Sequence, residues 1–205
     1  IAATIFPVYD IAKNIAGNEF EVVQILPSGA SAHTFEPGIA DQQKILNTKV
    51  VFAIGLGLDN WIKKLINNAG ENTNIIELYH NINLKESTDS NSTNTVSDAK
   101  VMDPHYWNSI QNVQIMASDI KDELIGLKRD KAQIFEYNYS KYISQLDELE
   151  TWSQEQVKII KNKVIITFHD AFSYLAEELG LKIATTIEPF PGKVPTASYL
   201  KEVGS

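Results

Sequence analysis

Three of the four histidines stand in short, distinctive settings: His33 in PSGASAHTFEP, His105 in MDPHYW and His169 in TFHDAFSYLA. They are 72 and 64 residues apart along the chain, so a joint site has to be assembled by the fold. Neutral imidazole is the commonest protein ligand for zinc-like cations, and three such nitrogens supply most of a four-coordinate shell. Each histidine alone also has a simpler reading. His33 lies in a loop and could be exposed, and His105, after Asp103-Pro104 and beside Trp107, could cap a turn. His169 ends an apolar run and could bond within a core, with Asp170 as the N-cap of a following helix. His80, in LYHNI, reads as a surface residue.

To bring such residues together the chain needs a core of some size. It has 205 residues, 43% of them hydrophobic, enough for one large domain or two small lobes. Lys and Arg number 18 against 26 Asp and Glu, a formal charge of −8, which argues against binding a phosphate backbone; no nucleic-acid partner is expected. Cysteine is absent, so any metal must be held by nitrogen and oxygen, and thiolate zinc or iron–sulfur sites are excluded. No apolar run reaches the roughly 18–20 residues that span a bilayer. The opening IAATIFPVYD lacks the basic start and long apolar stretch of a signal peptide. It reads as a strand already under way, as though a leader had been removed.

The elements alternate. A strand at 2–6 leads into a helix that starts at Pro7 and carries Val8, Ile11, Ala12, Ile15 and Ala16 on one face. A second strand, 20–26, ends in the PSGAS turn that bears His33, and a helix follows Glu36-Pro37. KVVFAI is a buried-type strand; Gly55-Leu56-Gly57 turns into the helix LDNWIKKLINN, and 74–78 is a further strand. Such alternation predicts an α/β lobe with a parallel sheet. The polar, low-complexity segment 85–99 reads as a mobile loop. Helices are expected over 110–125, broken by Gly126, and over 130–161, about 48 Å at 1.5 Å per residue. That length suits either a packed helix or a strut between lobes. KVIITF is a second buried-type strand with His169 at its carboxyl end, where ligands gather in open α/β sheets. DAFSYLAEELG, LKIATTIEP and a loop with a helix at its end follow. The expected division is a first lobe at 1–129, a linking helix at 130–161 and the start of a second lobe at 162–205. Those last 44 positions are few for a well-buried independent lobe, so a natural protein that continues past Ser205 is expected.

Read in order, ATIFPVYDIAKNIAG, LPSGASAHTFEP, KVVFAIGLGLDNW, DPHYW, FHDAFSYLAEELGL and IEPFPGKVPTASYLKEV resemble the metal-binding receptors of ABC importers that serve zinc and manganese uptake. The resemblance covers essentially the whole chain. It implies two α/β lobes joined by one long rigid helix, with the metal held between them by His33 and His105 from the first lobe and His169 from the second. A fourth ligand, usually a carboxylate late in the second lobe, would lie beyond Ser205. It further implies an extracytoplasmic protein, periplasmic or a cell-surface lipoprotein, that hands its ion to a membrane permease. The chain departs from the family pattern at Asn108-Ser109, after Trp107, and lacks the histidine-rich tract of some zinc receptors. Manganese receptors of this kind tend to carry a carboxylate where His169 stands. Three imidazoles suit zinc, so Zn(2+) is expected first and Mn(2+) second. Binding should weaken below about pH 6.5 as imidazoles protonate.

Two other classes compete. Three histidines with an open position also describe a zinc hydrolase, with Glu36, Asp103 or Asp170 as candidate base, although each of these has a simpler turn or cap role and no HExxH pair occurs. Some relatives are reported to adhere to host matrix proteins, a second role for which no residue here argues. The expectation is a receptor rather than an enzyme.

Overall fold

The computed structural model describes residues 1–69, 73–87 and 101–188, with positions 196, 199 and 201. The polar stretch from 88 to 99 and most of the loop and helix expected after Pro189 lie outside the described residues.

Two parallel sheets form the frame. The first contains β1 (Ala2–Ala3), β2 (Val23–Gln24), β3 (Val50–Ala53) and β4 (Asn74–Glu77) in the order β2-β1-β3-β4. All its pairs are parallel, with Ala2 opposite both Val23 and Val51, and Val51 opposite Ile75. The second pairs β5 (Val164–His169) with β6 (Lys182–Glu188). The chain runs from β1 to β2 on one side and crosses back to β3 on the other. That reversal opens a crevice at the carboxyl ends of β1 and β3, the usual ligand position in such sheets.

Every residue of β3 is buried, as its unbroken VVFA run requires of a central strand covered on both faces. Helix α1 (Phe6–Ala16) lays Val8, Ile11, Ala12, Ile15 and Ala16 into the core, with Pro7 in its first turn where a missing N–H costs nothing. It packs against α4 (Ile110–Leu127) and α5 (Ala132–Ile159). α2 (Ile39–Ile45) packs against α3 (Trp61–Ala69). Between the core strands and these helices, small residues (Ala2, Ala3, Ala12, Ala117) let backbones approach closely.

Several elements differ from the sequence reading. The strands at 2–6 and 20–26 are only two residues long, because α1 already begins at Phe6 and the ladder with β1 covers only Val23 and Gln24. Gly126 does not break its helix: α4 runs through to Leu127, and the chain turns at Lys128 (φ −140, ψ 78) into a short 3₁₀ turn before α5. A single glycine costs about 1 kcal/mol in a helix, less than the burial of Ile120 and Leu124, which precede it on the same helix, contributes. β5 has the composition of a buried strand, and within this chain one of its faces is open, Ile166 being 58% and Phe168 64% exposed. Asp170 does not cap α6 (Ser173–Glu178); the cap position is Phe172, with no side-chain hydrogen bond.

The long helix is 28 residues, about 42 Å at 1.5 Å per residue, and buries only Phe135, Leu146 and Val157. It is therefore both of the alternatives: a strut to β5 that packs along one seam against α1 and α4. Among the described residues, no helix is long and apolar enough to cross a membrane.

α6 is what stitches the second sheet to the first. Asn108 Nδ2 donates to Ala171 O at 2.7 Å, and the amide at the start of α4, Ile110 N, donates to the Glu178 carboxylate at 3.0 and 3.2 Å. The Glu178 anion sits at the positive end of that helix, which favours it further. Lys85 adds its Nζ to Ser173 O at 2.9 Å and pairs with Glu177. Tyr174 is buried in the main core, its hydroxyl donating to Asp103 O and accepting from Lys85 N, both at 3.0 Å.

Candidate metal centre

His33 comes from the loop after β2. That loop is held by Trp61 Nε1 donating to Ala32 O at 3.2 Å and by Phe35 packed edge-on against Trp61, ring centroids 4.8 Å apart. His105 opens the 3₁₀ turn Tyr106–Asn108. Its neighbour Tyr106, fully buried, donates its hydroxyl to Ile54 O at 2.8 Å and so pins the turn to the end of β3. His169 is the last residue of β5.

The end of β3 is itself clamped. Asp59, 1% exposed, accepts from Thr4 Oγ1 at 2.6 Å, Ile54 N at 2.7 Å and Gly55 N at 2.9 Å. Gly55 has φ +79, and a Cβ there would lie 2.6 Å from the Tyr79 ring, so this turn requires glycine on both counts.

These elements bring all three histidines to one place. The Nε2 atoms of His33 and His169 lie 3.1 and 3.2 Å from Nε2 of His105, and the three nitrogens are within 4.8 Å of one another. For bonds of about 2.0–2.1 Å, the edge of a tetrahedral zinc shell is about 3.3 Å, close to both measured separations. The ring centroids are 5.0 to 5.3 Å apart at 47 to 85°, so the rings fan around a point rather than stack. His105 is the buried member, His169 is half-buried and His33 is exposed. The cluster borders a cavity of about 450 Å³ whose wall includes Phe6, Leu26 and Trp107. His80, as expected, is exposed and outside it.

The Asp103 carboxylate sets the tautomer of His105. Oδ1 accepts from both the backbone N and the ring Nδ1 of His105, at 2.9 and 2.8 Å. Nδ1 therefore carries the proton, leaving the Nε2 lone pair facing the other two rings. Burial pushes the Asp103 carboxyl up, but hydrogen bonds from His105 and Ser173 outweigh it and the net shift is downward. From the sequence Asp103 reads as a turn or cap residue and as a candidate hydrolase base, not as the partner that orients His105. The signal was present in the D-P-H order, a carboxylate two residues before a histidine across a proline that folds the chain back.

Although the residue as a whole is exposed, the His33 ring is partly desolvated within the cluster, and this, reinforced by the repulsion of protonated His105 or His169, pulls it down to about 4. His169 is lowered as well, by burial first and His105 second, with Asp170 and Glu188 opposing. Both rings are thus neutral at pH 7, the form that presents a lone pair to a cation. Where a folded value lies below the unfolded one, near 6.5, the unfolded chain binds protons first as pH falls. The stability this group contributes is present above about pH 6.5 and is lost progressively toward about pH 4 at His33. Urea unfolding of chelator-treated protein should show midpoints falling from pH 7 to pH 4.5, with a shallower fall in His33→Asn. Equal slopes in the two proteins would contradict this.

Comparison with known proteins places this geometry. The profile of the family described as "Zinc-uptake complex component A periplasmic" matches residues 1–205, the whole chain. The chain belongs to this family. The manganese-binding lipoprotein MntA of Halalkalibacterium halodurans is 30% identical over 173 residues, covering 83% of this chain and 54% of its own length. The zinc-binding protein AdcA of Streptococcus pyogenes serotype M3 is 26% identical over 225 residues, covering all of this chain and 44% of its own length. The chain thus spans about half the length of these curated relatives. Among solved structures, the solute-binding protein FpvC of Pseudomonas aeruginosa in complex with Mn2+ superposes with a TM-score of 0.84 at 27% identity, over 98% of this chain and 72% of that one. Membership in the zinc-uptake component A family agrees with the two-sheet α/β architecture and its long connecting helix.

Proposed function

We propose that this chain carries the ion-capturing part of an extracytoplasmic receptor that binds a divalent transition metal and delivers it to the membrane permease of an ABC importer. His33, His105 and His169 are its metal ligands. The observation that carries the reading is the convergence of three Nε2 atoms, two pairs at 3.1 and 3.2 Å, contributed by loops and strand ends of both sheets. Residues 1–129 act as one lobe, 130–161 as the rigid connector and 162–205 as part of the second lobe, so the ion bridges the two.

The cargo is zinc first and manganese second. An all-imidazole set is softer than the carboxylate-rich shells manganese favours, and zinc also stands above manganese in intrinsic affinity. The relatives themselves divide, MntA being named for manganese and AdcA for zinc. Because His33 is held down at about 4, protons compete there well below the pH 6.5 expected of a free imidazole.

Receptor rather than hydrolase is the better reading. A hydrolytic zinc site needs a base beside the bound water. Asp103, 6% exposed, is already engaged by His105 and Ser173, and Glu36 is exposed on the loop beyond His33. Binding to a host matrix protein forms no part of the proposal. Elemental analysis of protein purified without chelator should find close to one zinc per chain, exceeding manganese when both are supplied equally. Metal-free protein that also fails to take up zinc on titration would overturn the reading.

A further inference from the structure

We propose that Asp103 and Ser173 are a positioning pair that ties the orientation of the His105 imidazole to the seating of α6, so that metal capture and docking of the second sheet are coupled through one carboxylate. The inference rests on the metal-binding reading above and adds a specific route by which the two lobes sense one ion.

Asp103 is buried between two partners that belong to different lobes. On one side Oδ1 fixes the His105 ring through Nδ1 at 2.8 Å. On the other side Oδ2 accepts from the hydroxyl of Ser173, the first residue of α6. Ser173 follows the ligand His169 by four positions, so one short connection has a metal ligand at its start and the partner of the other ligand's anchor at its end. A carboxylate accepting on both oxygens from charge-assisted donors cannot rotate without breaking one of them. Tilting the His105 ring therefore pulls on α6, and lifting α6 releases the ring.

The remaining ties of α6 make the pair separable from docking in general. Asn108 to Ala171 O, Ile110 N to Glu178, and Lys85 to Ser173 O hold the helix without touching a metal ligand or its anchor, and Tyr174 reaches Asp103 only at its backbone oxygen, not at the carboxylate. Removing the Ser173 hydroxyl should leave α6 seated while freeing one oxygen of Asp103. Partners behind a metal-bound histidine typically change affinity by about 10–100-fold when lost, so the effect is measurable.

The test uses the intact protein with Ser173→Ala, Ser173→Thr, Lys85→Met and His105→Ala, titrated with zinc against a competing chelator. In parallel, the ring nitrogens of metal-free protein are followed by NMR. Ser173→Ala should weaken zinc binding by about tenfold and broaden the His105 Nδ1–H signal. Ser173→Thr, which keeps the hydroxyl, should restore both, and Lys85→Met should leave the signal in place. The pair is overturned if Ser173→Ala leaves affinity within about twofold and the Nδ1–H signal unchanged, or if Lys85→Met reproduces both effects. Those results, with His105→Ala still abolishing binding, would remove the coupling and leave the metal site standing. Undiminished zinc affinity in His105→Ala would instead remove the metal site, and the coupling with it.

Discussion

Replacing His105 with alanine should weaken zinc binding by at least about a hundredfold without unfolding the protein. Apparent binding energies of four-ligand zinc sites run to about 10–16 kcal/mol, or roughly 3 kcal/mol per ligand, which corresponds to a factor of about a hundred. His105 should lie at the upper end of the three. It is the buried member, its Nε2 is the one close to both others, and Asp103 already holds its tautomer in the ligating form. His33, exposed and on a loop, has less of its orientation fixed beforehand, so His33→Ala should cost less. The fold should survive the His105 change because Tyr106, not His105, fills the core beneath the turn and bonds to Ile54 O. Chelator-competition titration together with far-ultraviolet circular dichroism reads both expectations. A His105→Ala protein that is folded and binds zinc as wild type would refute the assignment.

The largest stability effect is expected at Asp59, which lies outside the site but supports it. Truncation to alanine leaves three donors without their acceptor: the Thr4 hydroxyl and the amides of Ile54 and Gly55. A buried donor left unpaired costs about 1–3 kcal/mol. Part of that is offset, because burial of the carboxylate is itself unfavourable and pushes its carboxyl upward despite the three hydrogen bonds. The net loss should be about 3–5 kcal/mol, a large share of the roughly 5–15 kcal/mol that stabilises a domain. Asp59→Asn keeps one acceptor oxygen and the shape, so its cost should be about half as large. Urea unfolding of metal-free protein distinguishes these, and a loss below about 1 kcal/mol for Asp59→Ala would show that the clamp matters little. Because Ile54 also anchors Tyr106, the surviving folded Asp59→Ala protein should hold zinc less tightly than wild type.

How much of this was visible in the sequence depended on whether a residue's role is local. The α1 face was legible because periodicity reports burial, β3 because an unbroken apolar run marks a strand covered on both faces, and the long helix because neither proline nor glycine interrupts it. The three histidines were legible as a set through the motifs around them, taken in order, since each alone also suited a local turn, cap or core role. What failed were features decided by non-local packing. Gly126 looks like a stop on propensity alone, yet tertiary contacts carry α4 past it. β5 has the composition of a buried strand, but its burial depends on what covers its faces, which composition does not state. The link from Asp103 to Ser173 joins residues 70 apart, and no local pattern reveals it. Asp59 was hidden for the same reason: LDNW reads as a helix start, and only the fold brings Thr4 to its other side.

The most direct test is anomalous scattering at the zinc edge from crystals of the zinc-loaded protein. One strong peak should lie about 2.0–2.1 Å from the Nε2 atoms of His33, His105 and His169 together. A peak bound elsewhere, or one touching fewer than two of these nitrogens, would contradict the account.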